Sequence, residues 1–281
     1  MLRKYCIAIF AVVLMMTAVA PAFAQQTNFF SSWENRARNT LSKQPSWPVP
    51  VVAPSSNLVQ LFRTDFVRQI TPTHTDTWIY GNTKGFDFVP WYRTEFDVLI
   101  PPYIQHNSKA KDGFGDYSML LKYRAYARDE KHGNDALSFS IGGTLPTGSW
   151  SNGSVAGTYS PAVYGGKGFG NFVIQSSLSA TLPATNEKTL GRPVAWNTVA
   201  QYHLGKLLWP EIENNATFYH DGSNDGRMQN FITPALMISK FKLEKDPQNR
   251  LAIFVGAGMQ MATSHFHSYN HELAITTRIS F

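Results

Sequence analysis

Residues 271–281 read HELAITTRISF, and this stretch decides the fold class of the chain. Successive side chains of a β-strand point to opposite faces of its sheet, so a strand with one buried face shows a period of two. Here one face is mainly apolar and the other mainly polar. The first carries His271, Leu273, Ile275, Thr277, Ile279 and Phe281, and the second carries Glu272, Ala274, Thr276, Arg278 and Ser280. The stretch therefore predicts a strand with one apolar side.

Similar segments recur back to residue 58, separated by Gly, Asn, Asp, Ser and Pro. They predict twelve strands, at about 58–70, 85–93, 95–104, 115–128, 136–146, 158–167, 171–182, 193–204, 207–219, 228–241, 250–262 and 271–281. The connections expected after strands two, six and eight are short. Those after strands one, three, five, seven and nine are longer, at roughly ten residues.

Short turns at one end, long loops at the other and an even number of strands are typical of a bacterial outer-membrane barrel. In such a barrel the apolar faces meet lipid and the polar faces line the lumen. A secreted β-sandwich would show the same alternation, with its apolar faces meeting in a core. A chain that ends on a strand at Phe281, and aromatic residues near the strand ends, favour an all-β fold with a single antiparallel transmembrane barrel. The aromatic residues expected at the lipid interface are Trp91, Tyr92, Tyr103, Trp196, Tyr202, Trp209 and Tyr219.

The N-terminus predicts a cleaved signal peptide over residues 1–24. Arg3 and Lys4 precede an apolar run, and Ala22 and Ala24 supply the small residues that signal peptidase requires. The run is shorter than the ~20 apolar residues of a spanning helix, which argues against an uncleaved anchor. The only cysteine, Cys6, leaves with this segment, so we expect no disulfide and no thiol chemistry in the exported protein.

The composition excludes two further classes of protein. Of 281 residues, 43% are hydrophobic, 14% aromatic and only 16% charged, which no disordered chain combines. Removing Arg3 and Lys4 reduces the 25 basic residues to 23, and 23 − 19 leaves a net charge of +4. Such a small surplus does not indicate binding to nucleic acid.

Residues 25–57 are predicted to form an N-terminal periplasmic extension before the barrel of residues 58–281. Residues 31–41 (SSWENRARNTL) begin with a capping-type serine and predict a short polar helix. Residues 44–56 contain four prolines, which predict an extended linker. Both ends of an outer-membrane barrel chain face the periplasm, so we expect this segment either to cover or enter that mouth or to be a disordered tether.

Two neighbouring stretches resemble a known family. Residues 115–128 (GDYSMLLKYRAYAR) and 136–148 (ALSFSIGGTLPTG) are similar to the strand pair of the outer-membrane family named after the meta-pathway of phenol degradation. Residues 159–161 (YSP), 233–236 (TPAL) and 278–281 (RISF) add to the resemblance, which covers most of residues 58–281. It implies a twelve-stranded outer-membrane barrel associated with uptake of hydrophobic or aromatic compounds, and it brings no catalytic residues to transfer.

The polar faces of the strands place charges of both signs in one lumen. They are Arg63, Asp65, Asp97, Lys122, Arg124, Glu211, Glu213, Glu272 and Arg278. Mixed charges can line a solute path, or they can pair and fill the interior of a barrel of this girth. In the second case Arg124 and Arg278 would pair with Glu211, Glu213 or Glu272. Glu211 and Glu213 are residue types that can act as an acid–base pair, but the sequence indicates no substrate cleft beside them.

Residues 220–227 (HDGSNDGR) raise two other hypotheses. His220 and Ser223 are the residue types of an outer-membrane lipid hydrolase, but in a strand residues three apart point to opposite sides. Asp221, Ser223 and Asp225 have the spacing that opens a calcium loop, whereas Ile232 stands where the closing carboxylate belongs. His271 has the outward parity and no carboxylate is positioned with His265 and His267, so no metal site is predicted.

Together these observations predict an outer-membrane channel or transporter of a Gram-negative bacterium, and not an enzyme. The resemblance implies passive uptake of small hydrophobic or aromatic compounds. The alternatives are a lipid hydrolase using His220 and Ser223, or a closed structural barrel. The expected partners are outer-membrane lipids and lipopolysaccharide, the solutes themselves, and the barrel-assembly machinery, which would read the last strand ending in Phe281. No cofactor, metal or nucleic acid is expected.

Overall fold

The computed structural model describes residues 27–243 and 250–281. The predicted signal peptide, residues 1–24, lies outside them. No helix within the described ranges has the length and apolar character needed to cross a membrane. The helices are Thr27–Leu41 near the N-terminus and a single turn, Glu187–Leu190, in a loop. Two short 3₁₀ turns, Trp150–Asn152 and Gly222–Asn224, lie in other loops.

All strands of the described residues belong to one antiparallel sheet. Its strands are β1 (Leu61–Ile70), β2 (Asp76–Gly81), β3 (Gly85–Trp91), β4 (Thr94–Leu99), β5 (Tyr103–His106), β6 (Gly113–Phe114), β7 (Tyr117–Arg128), β8 (Asp135–Leu145), β9 (Thr158–Phe169), β10 (Phe172–Ala180), β11 (Leu182–Pro183), β12 (Val194–Tyr202), β13 (Leu208–Phe218), β14 (Met228–Lys242), β15 (Ala252–Ala262) and β16 (His271–Ser280). Four consecutive pairs, β2/β3, β4/β5, β6/β7 and β10/β11, each share one position in the wall, so the wall has 16 − 4 = 12 strand positions.

The last strand closes the sheet on the first. β1 pairs with β16 along its whole length, from Leu61 opposite Ser280 to Ile70 opposite His271. Closure removes both edges, so the chain is a twelve-stranded antiparallel β-barrel, as the sequence predicts, and not a sandwich of two sheets. We call the end where β1 begins and β16 ends the N-terminal mouth, and the opposite end the loop mouth.

The second position in the wall differs from its prediction. The strand predicted at 85–93 corresponds only to β3, because β2 precedes it and pairs with β1. Between β2 and β3 the chain passes through Asn82 and Thr83, whose φ angles are +46° and +50°. Gly81 and Asn82 are residue types that favour turns, so the sequence pattern predicts no strand next to them. The first loop therefore spans only residues 71–75, and the expectation of about ten residues there is wrong.

The two faces of the wall have opposite character. Phe139, Ile141 and Ile212 are 47%, 47% and 54% exposed on the outside. Ser138 and Thr276 are fully buried on the inside. An apolar exterior around a polar interior is the arrangement that lipid contact requires. Trp209 is an exception to the predicted interfacial aromatics: it faces inward, is buried, and stacks on the His203 ring with centroids 4.3 Å apart.

The N-terminal helix lies at the N-terminal mouth. Its Trp33 donates a hydrogen bond through Nε1 to the carbonyl oxygen of Val89 at 3.1 Å. Ala37 packs in a buried cluster with Leu58 and Val89. The helix is thus docked on the end of β3, and the chain that follows it runs into the barrel.

The orientation of the faces can be tested on neighbouring residues of β8. Phe139→Arg places a charge on the apolar exterior, at a cost of about 2–4 kcal/mol at the bilayer midplane, and should reduce the fraction of assembled barrel. Ser140→Arg places the same charge on the lumen side, where Ser140 is half-buried, and should assemble better. The assembled fraction is measured as heat-modifiable mobility on a gel. Equal assembly of both variants would contradict the assigned faces.

Candidate functional site: an occupied lumen

All nine charged residues predicted to face the lumen are on the inner side of the wall, and each is at most 8% exposed. That they line a path for solutes stays a prediction. Glu95, which sequence reasoning missed, joins them and is 2% exposed. Its position two residues from Asp97 on the same strand is the signal that would have identified it.

The interior holds residues 44–57, which we call the lumen segment. It enters and leaves through the N-terminal mouth as a loop. Gln44 and Leu58 close the loop with two hydrogen bonds, from Gln44 Nε2 to the Leu58 carbonyl at 2.7 Å and from Leu58 N to Gln44 Oε1 at 3.2 Å. Asn57 Nδ2 adds a bond to the Pro45 carbonyl at 2.8 Å. The Pro-rich part of the N-terminal extension therefore lies within the barrel.

The basic residues of the wall bind carbonyl oxygens of this N-terminal region. Arg278 donates to the carbonyls of Val49 and Pro50, the latter at 2.5 Å. Lys122 Nζ donates to Asn57 O at 2.8 Å. Two further bonds run from Arg63 Nη2 to Val51 O and from Arg124 Nη1 to Thr40 O. An extended chain leaves its carbonyls unpaired, so it can satisfy several buried cations at once.

The acidic and amide side chains of the wall accept the amide hydrogens of the same segment. Glu211 accepts from Val51 N at 2.8 Å. Glu213 accepts from Val52 N at 2.8 Å and from Ala53 N at 2.5 Å. Gln175 Oε1 accepts from Ser56 N at 3.0 Å. The wall and the lumen segment therefore form one hydrogen-bonded network of mixed charge.

This network differs from the predicted pairing of arginines with carboxylates. The ion pairs among the described residues of the lumen are Arg63 with Asp65, at 2.7 Å, and Lys122 with Glu95, at 3.2 Å. Arg124 and Arg278 form no ion pair there with Glu211, Glu213 or Glu272. The interior is filled, but backbone groups of the lumen segment provide most of the partners.

The lumen segment also covers an apolar patch on the wall. Trp47 and Val51 pack against it, and the patch consists of Val67, Ala136, Val173, Trp209, Met237 and Ala274. Trp47 is fixed further by its Nε1, which donates to Asn134 Oδ1 at 2.9 Å. Removing the segment from this position would expose both the apolar patch and the charges that it satisfies.

Closer to the loop mouth the network is mostly uncharged. Asn215 donates to Asn197 Oδ1 at 2.9 Å, and Gln260 donates to Asn215 Oδ1 at 3.0 Å. Glu272 lies at the same level and accepts from Gln69 Nε2 at 2.7 Å. The charged part of the lumen is therefore concentrated where the segment is bound.

The other candidate sites are not assembled in the described residues. Ser223 Oγ donates to Thr189 O, and no hydrogen bond joins it to His220. Asp221 binds Arg192 instead of converging with Asp225 on a common point. His267 is hydrogen-bonded to Ser264 and Asn270, and the described residues contain no group of three potential metal ligands.

Comparison with known proteins identifies the fold. No protein-family model and no curated protein matches the sequence. The crystal structure of an outer membrane channel from Pseudomonas putida F1 is similar, with a TM-score of 0.56 and 14% sequence identity. The match covers 80% of this chain and 97% of that channel. The similarity supports an outer-membrane barrel fold, and the resemblance to the phenol meta-pathway family stays a hypothesis.

Removal of one wall cation should loosen the lumen segment. Arg278→Met deletes the donors to Val49 and Pro50, and a charge-assisted hydrogen bond contributes about 1.5–3 kcal/mol. We expect faster amide hydrogen exchange at Val51, Val52 and Ala53, and a lower unfolding temperature. Arg227→Met, at an exposed loop position, is the matched control and should change neither. Unaltered exchange in Arg278→Met would show that the segment is held by other contacts.

The attachment at the mouth should depend on pH. Glu130, in the turn between β7 and β8, accepts from Ser46 N and Ser46 Oγ, both at 2.6 Å. Burial raises the pKa of Glu130, but these hydrogen bonds outweigh it and hold the pKa below its ordinary value. The attachment is therefore complete above the ordinary pKa and is lost as the pH falls through the lowered one.

The amide proton of Ser46 reports this titration directly in an NMR spectrum. Its chemical shift should change with an apparent pKa below the ~4.3 of an unperturbed glutamate. In Glu130→Gln the change should disappear. A titration at or above the ordinary value would contradict the attachment.

Proposed function

We propose that this protein is a channel of the Gram-negative outer membrane, for passive uptake of small hydrophobic or aromatic solutes, and that the lumen segment is its plug. The single observation that carries the proposal is that residues 44–57 fill the lumen yet belong to a loop attached at one mouth. Such a loop can leave without breaking any strand of the wall. If the segment only filled the interior, larger inward-facing side chains of the strands would do the same without a separate loop.

The solute class is supported by what the plug covers. Its departure would uncover the apolar patch around Val67, Val173 and Met237, inside an otherwise polar barrel. Apolar surface in a concave site is what binds a hydrophobic solute. The resemblance to the phenol meta-pathway family leads to the same solutes. Lipids and lipopolysaccharide would contact the apolar exterior, and the assembly machinery would bind the last strand up to Phe281.

A closed structural barrel is the second candidate, because the observed lumen is occupied. Charged and amide groups of the wall contact the segment from several sides. If this packing never opens, the barrel conducts nothing. The two candidates therefore differ in whether the plug can be displaced.

Deletion of residues 27–57 tests the proposal. The barrel should still assemble, because the strand pairings do not involve these residues. Its single-channel conductance in planar bilayers should rise several-fold, since the lumen loses its occupant. Deletion of residues 27–41 alone keeps the lumen segment and should give a conductance close to that of the full-length protein.

Assembly of both deletion variants is verified by heat-modifiable mobility. A folded barrel without residues 27–57 that conducts no better than the full chain would support the structural barrel instead. The solute class is tested separately, by uptake of a radiolabelled aromatic hydrocarbon into cells with and without the protein.

A further inference from the structure

A cavity of about 390 Å³ lies at the N-terminal mouth, beside the lumen segment. It is bounded by the end of the N-terminal helix, by the first residues of the lumen segment and by the residues just before β1. Its other side is formed by the adjacent ends of β14, β15 and β16. A volume of this order is within the range of small-molecule sites in proteins.

The lining combines apolar surface with positive charge. Its apolar side chains include Leu41, Trp47, Leu58, Leu61 and Phe254. Its basic side chains are Arg38, Lys240, Lys242, Arg250 and Arg278. None of the described residues that line the cavity is acidic. The cavity therefore has the chemistry to hold an apolar body and an anionic group together.

An irregularity of β14 places two of the lysines at the cavity. The register between β14 and β15 shifts between Ile238 and Phe241, and Lys240 has a φ of +59°. Such a bulge inserts an extra residue and re-aims the side chains that follow. Lys242 consequently lies opposite Ala252, whose side faces inward and lines the same cavity.

The basic residues are not equally satisfied. Arg38 pairs with Glu34 at 2.8 Å, and Arg278 is bound to backbone carbonyls of the lumen segment. Arg250 has a buried Nη1 with no hydrogen-bond partner. The nearby carboxylate of Glu130 is bound to Ser46. A buried donor without a partner is unfavourable, and an anion in the cavity would supply the missing acceptor.

Arg250 is charged at neutral pH in this position. It lies just before β15, outside the strands of the wall, and burial lowers its pKa to about 10. Burial thus disfavours the charge without removing it. Its buried Nη1, which has no hydrogen-bond partner, is the polar feature of the cavity that points most directly to a ligand.

We propose that this cavity binds a small amphiphilic anion, consisting of an apolar body with one carboxylate. The carboxylate would accept hydrogen bonds from Arg250 and lie near Lys240, and the apolar body would contact Leu41, Trp47 and Phe254. This site goes beyond the proposed channel, because the cavity is present while the lumen segment is in place. It requires no conducting state.

Isothermal titration of the full-length protein in lipid nanodiscs tests the site. Octanoate is the probe, with octan-1-ol as its uncharged counterpart and acetate as a carboxylate without an apolar body. Octanoate should bind at least about tenfold more tightly than either, because only octanoate uses both parts of the lining. Equal affinity for octanoate and octan-1-ol, or no binding of octanoate, would overturn the proposal.

Arg250→Gln and Lys240→Gln should each weaken octanoate binding by about tenfold or more. Lys206→Gln removes the same charge from an exposed turn at the same mouth and should bind within about twofold of the unmodified protein. Gel mobility controls for assembly. Unweakened binding in Arg250→Gln would overturn the site, whereas the conductance of the deletion variant tests the channel independently.

Discussion

The structure depends on one constraint, which is that charges inside a closed barrel need partners. Arginines and a lysine of the wall find them in carbonyls of an extended chain, for example Arg278 with Pro50 and Lys122 with Asn57. Prolines suit the chain to this use, because each has a carbonyl acceptor but no amide donor. Amide groups of the other residues meet acceptors on the wall, as Val52 N and Ala53 N do at Glu213. The signs of the wall charges thus match the polarity of the backbone groups that they meet.

The same geometry keeps the segment separate from the strand pairings of the wall. Its two ends are tied to each other by Gln44 and Leu58, so the loop is closed by its own contacts as well as by the wall. The prolines restrict the free chain, which lowers the entropy lost when the segment binds. The bonds to the wall join backbone groups of the segment to side chains such as Glu213 and Arg278, and none of them is a strand pairing. The proposed plug is thus a tethered loop whose departure would break side-chain contacts but no strand pairing.

The sequence predicted the wall well and its contents poorly, for physical reasons. Period-two alternation assigned the faces of 271–281 correctly and placed Arg124 and Glu213 on the inner side. It missed β2, because Gly81 and Asn82 interrupt the pattern there. It could not identify the partner of Arg278, since Pro50 is 228 positions away and an extended Pro-rich segment has no periodicity to place it. Strand patterns report which face is buried, but not what buries it.

The apolar patch beneath the plug connects the filled interior to the proposed transport. Val67, Val173 and Met237 are covered by Trp47 and Val51, so a hydrophobic solute at this patch would occupy the position of the plug. Two occupants that exclude each other are thermodynamically linked: the solute stabilises the displaced state only by its preference for that state. The charges that hold the plug would oppose this displacement. The free energy of the hydrogen bonds that hold the plug would then be set against the free energy of solute binding at the apolar patch. Their difference would determine how readily the barrel opens to a solute.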